Sequence, residues 1–448
     1  MLDFDPPEPI TDDQVSGEEK LYRVTKLIKE LRDDFVHVNL LPFERNAHME
    51  QLKVFGRNPK NAEPIFTPSG IEIITHHAFH STSPTTSKAA LQCLANALLA
   101  EPITRQYFVD LGYSERAVRR LKKPQKDDEF LMSRILFLTS YGTTQRFDIL
   151  IDKFHLADHM SNNLERHAKN KFISRHDDEA LNETLKLVFN IAHFCPSHAS
   201  AFTPALPSII KILTRRPLQS PPLSAPTNLL ITCLLTIPLP KKPLSTSTLT
   251  PCAKHLLTIL DASLAVSPDH DLDATVTPLV TLLQRLATHS PTFAASLKPT
   301  LLPPNPKSQA SANINLHARL SALLDTPSRS RPLADAIVLL FHFLAPATTT
   351  TTTTTAIVPP RHSSSSSTSS AHSQTHPPSS PSDRPARTST TSISTATHTH
   401  GSASVSSTNS ARAILPAPAE RAAAVPKPKP DPARVMVLFD RCVAYNSL

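Results

Sequence analysis

Two stretches of the chain each set one asparagine inside an otherwise apolar helical run. One reads Ala90-Leu91-Gln92-Cys93-Leu94-Ala95-Asn96-Ala97-Leu98-Leu99, the other Leu185-Lys186-Leu187-Val188-Phe189-Asn190-Ile191-Ala192. A primary amide is costly to bury unless its donors and acceptor find partners. The pattern therefore admits two readings. Either neighbouring helices satisfy the amide, or it lies on a face that meets another polypeptide. Both require helices stacked side by side.

Composition narrows the fold further. Only 6 glycines occur in 448 residues, against 43 prolines and no tryptophan. Phosphate-cradling loops and tight-turned β structure depend on glycine, so direct nucleotide binding is not expected. The formal net charge of +8 is modest for this length, and the basic residues are scattered among few aromatics. That argues against a nucleic-acid partner. Cys93, Cys195, Cys233, Cys252 and Cys442 show no metal-ligand spacing. Buried thiols in a reducing compartment are the expectation. The N-terminus is acidic and polar, and the longest apolar run, near residues 229–237, is too short to span a bilayer. A cytoplasmic protein without a transmembrane segment follows.

The helices can be placed from apolar spacing. Leu21, Val24, Leu27, Ile28, Leu31 and Phe35 form one stripe over 18–38. A second helix runs over Phe43–Phe55. Thr67-Pro68 gives an N-cap and first-turn proline for a third, to about His80. Ser87 is read as the cap of the helix carrying Asn96. A helix from Pro102 stops at Gly112, and Ser114 begins a short one through Leu121. Further helices are expected over Phe130–Tyr141, Phe147–Phe154, Leu156–Lys169 and Glu179–Phe194. Beyond residue 200, Leu-rich stretches lie near Ala205–Leu213, Asn228–Leu235, Leu249–Leu264, Val276–Ala287, Leu316–Leu324 and Leu333–Leu344. Short helices, short turns and a period of about 40 residues predict an all-α, armadillo/HEAT-like, right-handed helical solenoid. It occupies 18–345, after a flexible N-terminus over 1–17. Residues 346–431 are Ser/Thr/Pro/His-rich, which predicts disorder. The patch Val435-Met436-Val437-Leu438-Phe439 predicts a short helix within 432–448.

Several of these segments together resemble the synembryn family. They are Leu52-Lys53-Val54-Phe55-Gly56-Arg57-Asn58-Pro59, Asn61-Ala62-Glu63-Pro64-Ile65-Phe66, the run around Asn96, Phe108-Val109-Asp110-Leu111-Gly112-Tyr113, Asp127-Asp128-Glu129-Phe130-Leu131-Met132-Ser133-Arg134-Ile135-Leu136-Phe137-Leu138, and Glu183–Ile191. Members are cytosolic exchange factors and folding chaperones for heterotrimeric G-protein α subunits. The resemblance implies a superhelix that holds the C-terminal helix of Gα in its concave face and stabilises the nucleotide-free state. It also implies recruitment to the inner face of the plasma membrane through Gα. On matching positions, Asn96, Asn190 and Arg134 fall on that face, with Gln92 and Lys186 one turn before the two asparagines. The amides would bond peptide backbone. Arg134 and Lys186 would meet carboxylates or helix C-terminal carbonyls. Arg119 and Arg120 are candidates for a basic rim that steers Gα.

One departure is plain. The family continues past the last repeat with a Gly-Tyr-Gly-containing helical segment, whereas polythreonine follows Leu344-Ala345-Pro346 here. Other motifs carry less. His76 and His80 have a zinc-like i, i+4 spacing but no third ligand, so they read as surface histidines. No nucleophile elbow, Cys/His pair or paired carboxylates can be assembled, so no catalytic, cofactor or metal-binding residue is assigned. The alternative the residues leave open is an armadillo-type adaptor that binds an unrelated peptide without exchange activity.

Overall fold

The computed structural model describes residues 9–122, 124, 127–170, 174–265, 272–302, 314–325 and 331–345. Among them there are helices and no strands. In chain order these are α1 (Gly17–His37), α2 (Pro42–Phe55), α3 (Pro68–His80), α4 (Pro84–Ala100), α5 (Ile103–Asp110), α6 (Ser114–Leu121), α7 (Asp128–Leu138), α8 (Phe147–Asp152) and α9 (Leu156–Lys169). They continue with α10 (Arg175–Phe194), α11 (Leu206–Arg215), α12 (Ala225–Thr236), α13 (Thr246–Ala265), α14 (Leu272–His289), α15 (Pro291–Leu301), α16 (Ile314–Leu324) and α17 (Arg331–Leu344).

Their contacts define two layers. One is a spine in which α2 packs on α4, α4 on α7, α7 on α10, α10 on α12, α12 on α14 and α14 on α17. The other runs alongside it, with α3 on α5, α6 on α9, α9 on α11, α11 on α13 and α13 on α15. Each helix meets its neighbours in the stack rather than one common core, so the chain is an armadillo/HEAT-like helical solenoid. The repeat begins at about forty residues and lengthens to nearly sixty at the last step, where proline-bearing connections intervene.

Local chemistry explains most boundaries. Thr67 Oγ1 accepts the Gly70 N–H at 3.0 Å, capping α3 as its sequence indicates. Gly70 has a second role, because a Cβ there would meet the Pro64 carbonyl oxygen at 2.1 Å. Gly112 ends the α5 turn with φ +73°, a conformation that disfavours side chains. Ser87 is not the cap of α4. Ser83 caps it, accepting from the Thr86 N–H at 3.4 Å, because Pro84 fits the first turn and starts the helix early. Ser87 lies one turn inside and donates to the Ala78 carbonyl at 2.7 Å, tying α4 to α3. Ser174 caps α10, which therefore starts at Arg175, a turn before the expected Glu179. The apolar spacing overlooked α15, where Ser290 supplies the cap and Pro291 and Pro299 mask a helical sequence.

The apolar stripe of α1 buries Val24, Ile28 and Leu31, whereas Leu21 and Phe35 stay largely exposed. Cys93, Cys233 and Cys252 are buried thiols, and burial pushes Cys93 up to about 12. No described helix is long and apolar enough to cross a membrane. The expectations for 346–431 and for a helix within 432–448 lie outside the described residues.

Candidate functional site

The spine helices α4, α7 and α10 are tied together at their N-terminal ends by one carboxylate. Asp127, just before α7, takes Lys88 Nζ of α4 at 2.7 Å on Oδ2 and His176 Nε2 of α10 at 2.9 Å on Oδ1. This sets the register. From that junction Asn96 lies eight residues along α4 and Arg134 seven along α7, so both sit roughly 10–12 Å down the spine. At the same level across α7 and α10, Arg134 Nη1 reaches Glu183 Oε1 at 3.3 Å, and Ser133 pairs with Thr184 at 3.1 Å.

What reaches the surface of this layer is narrow. On α4 the positions that stay accessible include Lys88, Gln92, Asn96 and Leu99, which form one stripe, and on α7 only Phe130 and Arg134 do so. Asn96 is half-buried and its amide bonds no described residue. Gln92 is also half-buried, and its Oε1 accepts from Lys53 Nζ of α2 at 3.3 Å. Arg134 leaves 26% of its side chain exposed and stands over the Phe130 ring, 5.8 Å from the centroid.

Lys186 and Asn190 occupy a different environment. Lys186 is 8% exposed; its Nζ donates to Glu183 Oε1 at 2.8 Å and lies 5.8 Å from the Phe137 ring centroid. Asn190 is 3% exposed. Its Nδ2 donates to Ser140 Oγ at 2.8 Å, and Ser140 in turn donates to the Phe137 carbonyl at 2.6 Å. Among the described residues the buried Oδ1 of Asn190 has no partner, nor has Oε2 of Glu183. The two asparagines, alike in sequence, thus differ in placement: one amide is open and the other is engaged between helices.

The two arginines named as a rim also separate. Arg119 is exposed, pairs with Glu115 at 2.5 Å and lies over the Phe154 ring. Arg120 faces inward, bonding Asp128, the Ala78 carbonyl at 3.2 Å and Ser87 Oγ at 3.3 Å. His77 is buried, with Nε2 3.2 Å from the Leu31 carbonyl. Of the two histidines read as surface residues, His80 is exposed, whereas His76 is half-buried. His76 stacks on His80, and burial together with the His80, His77 and Arg116 charges depresses its pKa to about 4. No group of three metal-ligating side chains is assembled among the described residues.

Residues that the sequence reading passed over hold this face in place. Glu129 is buried at the junction of α7, α9 and α10. Its Oε1 takes His167 Nε2 at 2.9 Å and the Thr184 hydroxyl at 3.0 Å, and its Oε2 takes Arg166. Burial pushes its carboxyl up, but the His167 bond and the His167 and Arg166 charges outweigh this and hold it below the ordinary range. Glu183 is the second such residue. In sequence Glu183 lies in the polar run Asn182-Glu183-Thr184, so the pattern that marks the two asparagines does not mark it.

Comparison with known proteins adds three findings. No curated protein matches the chain in sequence. A solved engineered protein is similar over 75% of this chain and 86% of its own, at 13% identity and a TM-score of 0.43. That likeness is too slight to carry any argument. The family described as guanine nucleotide exchange factor synembryn matches over residues 48–353, from α2 past the end of α17. The chain belongs to the synembryn family of guanine nucleotide exchange factors.

Proposed function

We propose that this protein binds heterotrimeric G-protein α subunits, accelerates release of their GDP, and chaperones them in the nucleotide-free state. The observation that carries this is the family match across 48–353. The partner element is the Gα C-terminal helix, received on the spine face of α4, α7 and α10. The open amide of Asn96 and the cations Arg134 and Lys186 at neighbouring levels supply the recognition. Asn190 acts behind them as a support for α10. Arg119 contributes to steering from outside the face, and Arg120 does not.

The mechanism needs no covalent step. A protein that binds empty Gα more tightly than GDP-bound Gα must weaken GDP binding by the same factor. A coupling of about 1–3 kcal/mol corresponds to a 5–150-fold change. GTP reverses the linkage and releases the complex. The same preference stabilises newly made Gα before it acquires nucleotide, because binding to one state by mass action raises its apparent stability.

The test is GDP release from purified Gα with the full chain present at sub-stoichiometric amounts. Acceleration is expected. Binding without acceleration would leave a chaperone whose exchange step needs the segment replaced beyond Leu344. Neither binding nor acceleration would turn the reading to an adaptor for another peptide.

A further inference from the structure

Two cations of the spine face share a single carboxylate. Arg134 of α7 and Lys186 of α10 both contact Glu183 Oε1, at 3.3 and 2.8 Å. Glu183 itself is only 4% exposed. Three ionic groups thus leave this point of the face with one net positive charge. Of the three, only Arg134 keeps a sizeable part of its side chain accessible.

We infer that Glu183 is a specificity-determining residue, which limits this site to a partner segment presenting one carboxylate and rejects more acidic ones. The inference rests on the proposed binding of a partner helix at this face. Its physical basis is charge at short range. With Glu183 ionised, an arriving carboxylate meets attraction from Arg134 and Lys186 and repulsion from a fixed anion a few ångströms behind them. Near a protein surface each such term is sizeable, since the effective dielectric is far below that of water. The arrangement trades affinity for selectivity, as like-charge placement does at other interfaces.

The unpartnered oxygen makes the idea testable. Glu183 Oε2 bonds no described residue, so Glu183→Gln keeps the Oε1 acceptor for both cations and removes charge rather than a hydrogen bond. A merely structural glutamate would respond to this change through stability, with no effect that depends on the partner's acidity.

The experiment uses the full-length chain and two labelled synthetic peptides of a Gα C-terminal helix. One keeps its acidic side chains; the other carries Asn or Gln in their place. Anisotropy titrations are run at low and at 0.5 M salt. E183Q should bind the acidic peptide about tenfold tighter than wild type, and the neutral peptide equally well. The gain should shrink at high salt. Lys186→Gln, which cancels the site's net charge, should weaken binding of the acidic peptide more than that of the neutral one. An unchanged ratio between the two peptides in E183Q would overturn the role of Glu183 while leaving partner binding intact. If wild type bound neither peptide, the partner reading itself would fall, and this inference with it. Should E183Q not fold, judged by its helical signal, a third peptide with one further carboxylate decides on wild type: binding tighter than that of the acidic peptide overturns the inference.

Discussion

Asn96→Ala and Asn190→Ala should separate binding from stability. Asn190 loses one neutral hydrogen bond, Nδ2 to Ser140 Oγ at 2.8 Å. The Ser140 hydroxyl keeps its own bond to the Phe137 carbonyl, so no donor is stranded, and the unpartnered Oδ1 takes nothing with it. The cost is that of one bond, about 1 kcal/mol, within the usual range of about 0.5–1.5. Asn96 has no bond to lose, and alanine is the better helix former by up to about 0.7 kcal/mol. Asn96→Ala should therefore be neutral or slightly stabilising. If its amide bonds a docked backbone, affinity for the Gα helix should fall by about 1 kcal/mol, roughly fivefold. Urea unfolding followed by circular dichroism gives the stability arm, and peptide anisotropy gives the affinity arm. Two results would refute the reasoning: a stability loss in Asn96→Ala matching that in Asn190→Ala, or unchanged affinity in Asn96→Ala with its helices intact.

Three further outcomes follow from buried or capping groups. Glu129→Ala strands His167 and Thr184 in the interior and frees the exposed Arg166, and should destabilise by about 3–5 kcal/mol in urea unfolding, with Glu129→Gln milder. Because the folded carboxyl is held below its ordinary 4.5, its contribution is present above that pH and is lost as pH falls through the folded value, so wild type should show an acid slope that Glu129→Gln lacks. Ser83→Ala removes the α4 cap and should cost about 1 kcal/mol, with faster amide exchange at Thr86 as the local signature. His76, whose pKa falls from 6.5 to about 4 on folding, takes up protons more readily when unfolded. Stability should therefore decline as pH drops from about 6.5 towards 4, and His76→Gln should flatten that decline in pH-dependent melts.

Helix existence was legible because burial selects for one apolar face, and most elements were found within a few residues. What failed was local. Ser87 looked like a cap because it precedes an apolar run, but Pro84 can only be helical in a first turn and so moved the start to Ser83. The helix over Pro291–Leu301 was hidden by prolines that the first turn and the last turn both tolerate. At the site, spacing showed which residues were polar in apolar helices but not what lay opposite them. Asn96 and Asn190 share a pattern yet differ because Ser140, some fifty residues away in sequence, faces only one of them. Arg119 and Arg120 are adjacent, so helix geometry alone points them about 100° apart, and Asp128 captures the inward one.

The spine also changes character along its length, and this bears on where a partner can be held. From α2 to α10 its accessible positions include the cations Lys53, Lys88 and Arg134 and the open amide of Asn96, beside the apolar Leu99 and Phe130. Further on they include Asn228, Thr232 and Thr236 beside Leu229 and Leu235 on α12, and Asp273, Gln284 and Thr288 on α14. There the threonine hydroxyls turn back on their own helices, each donating to the carbonyl four residues earlier at 2.8 Å. Arg285 is also spent internally, closing the end of α12 through the Leu234 and Ile237 carbonyls at 3.0 and 2.6 Å. A hydroxyl donating to its own helix has no proton left for a ligand and can only accept. With Arg285 spent internally, the accessible cations named here lie on the first four spine helices, while the other named distal groups are hydroxyls, amides and a carboxylate. Substitutions that weaken partner binding through lost positive charge should map to α2–α10, and those at Thr232, Thr236 and Thr288 should act less.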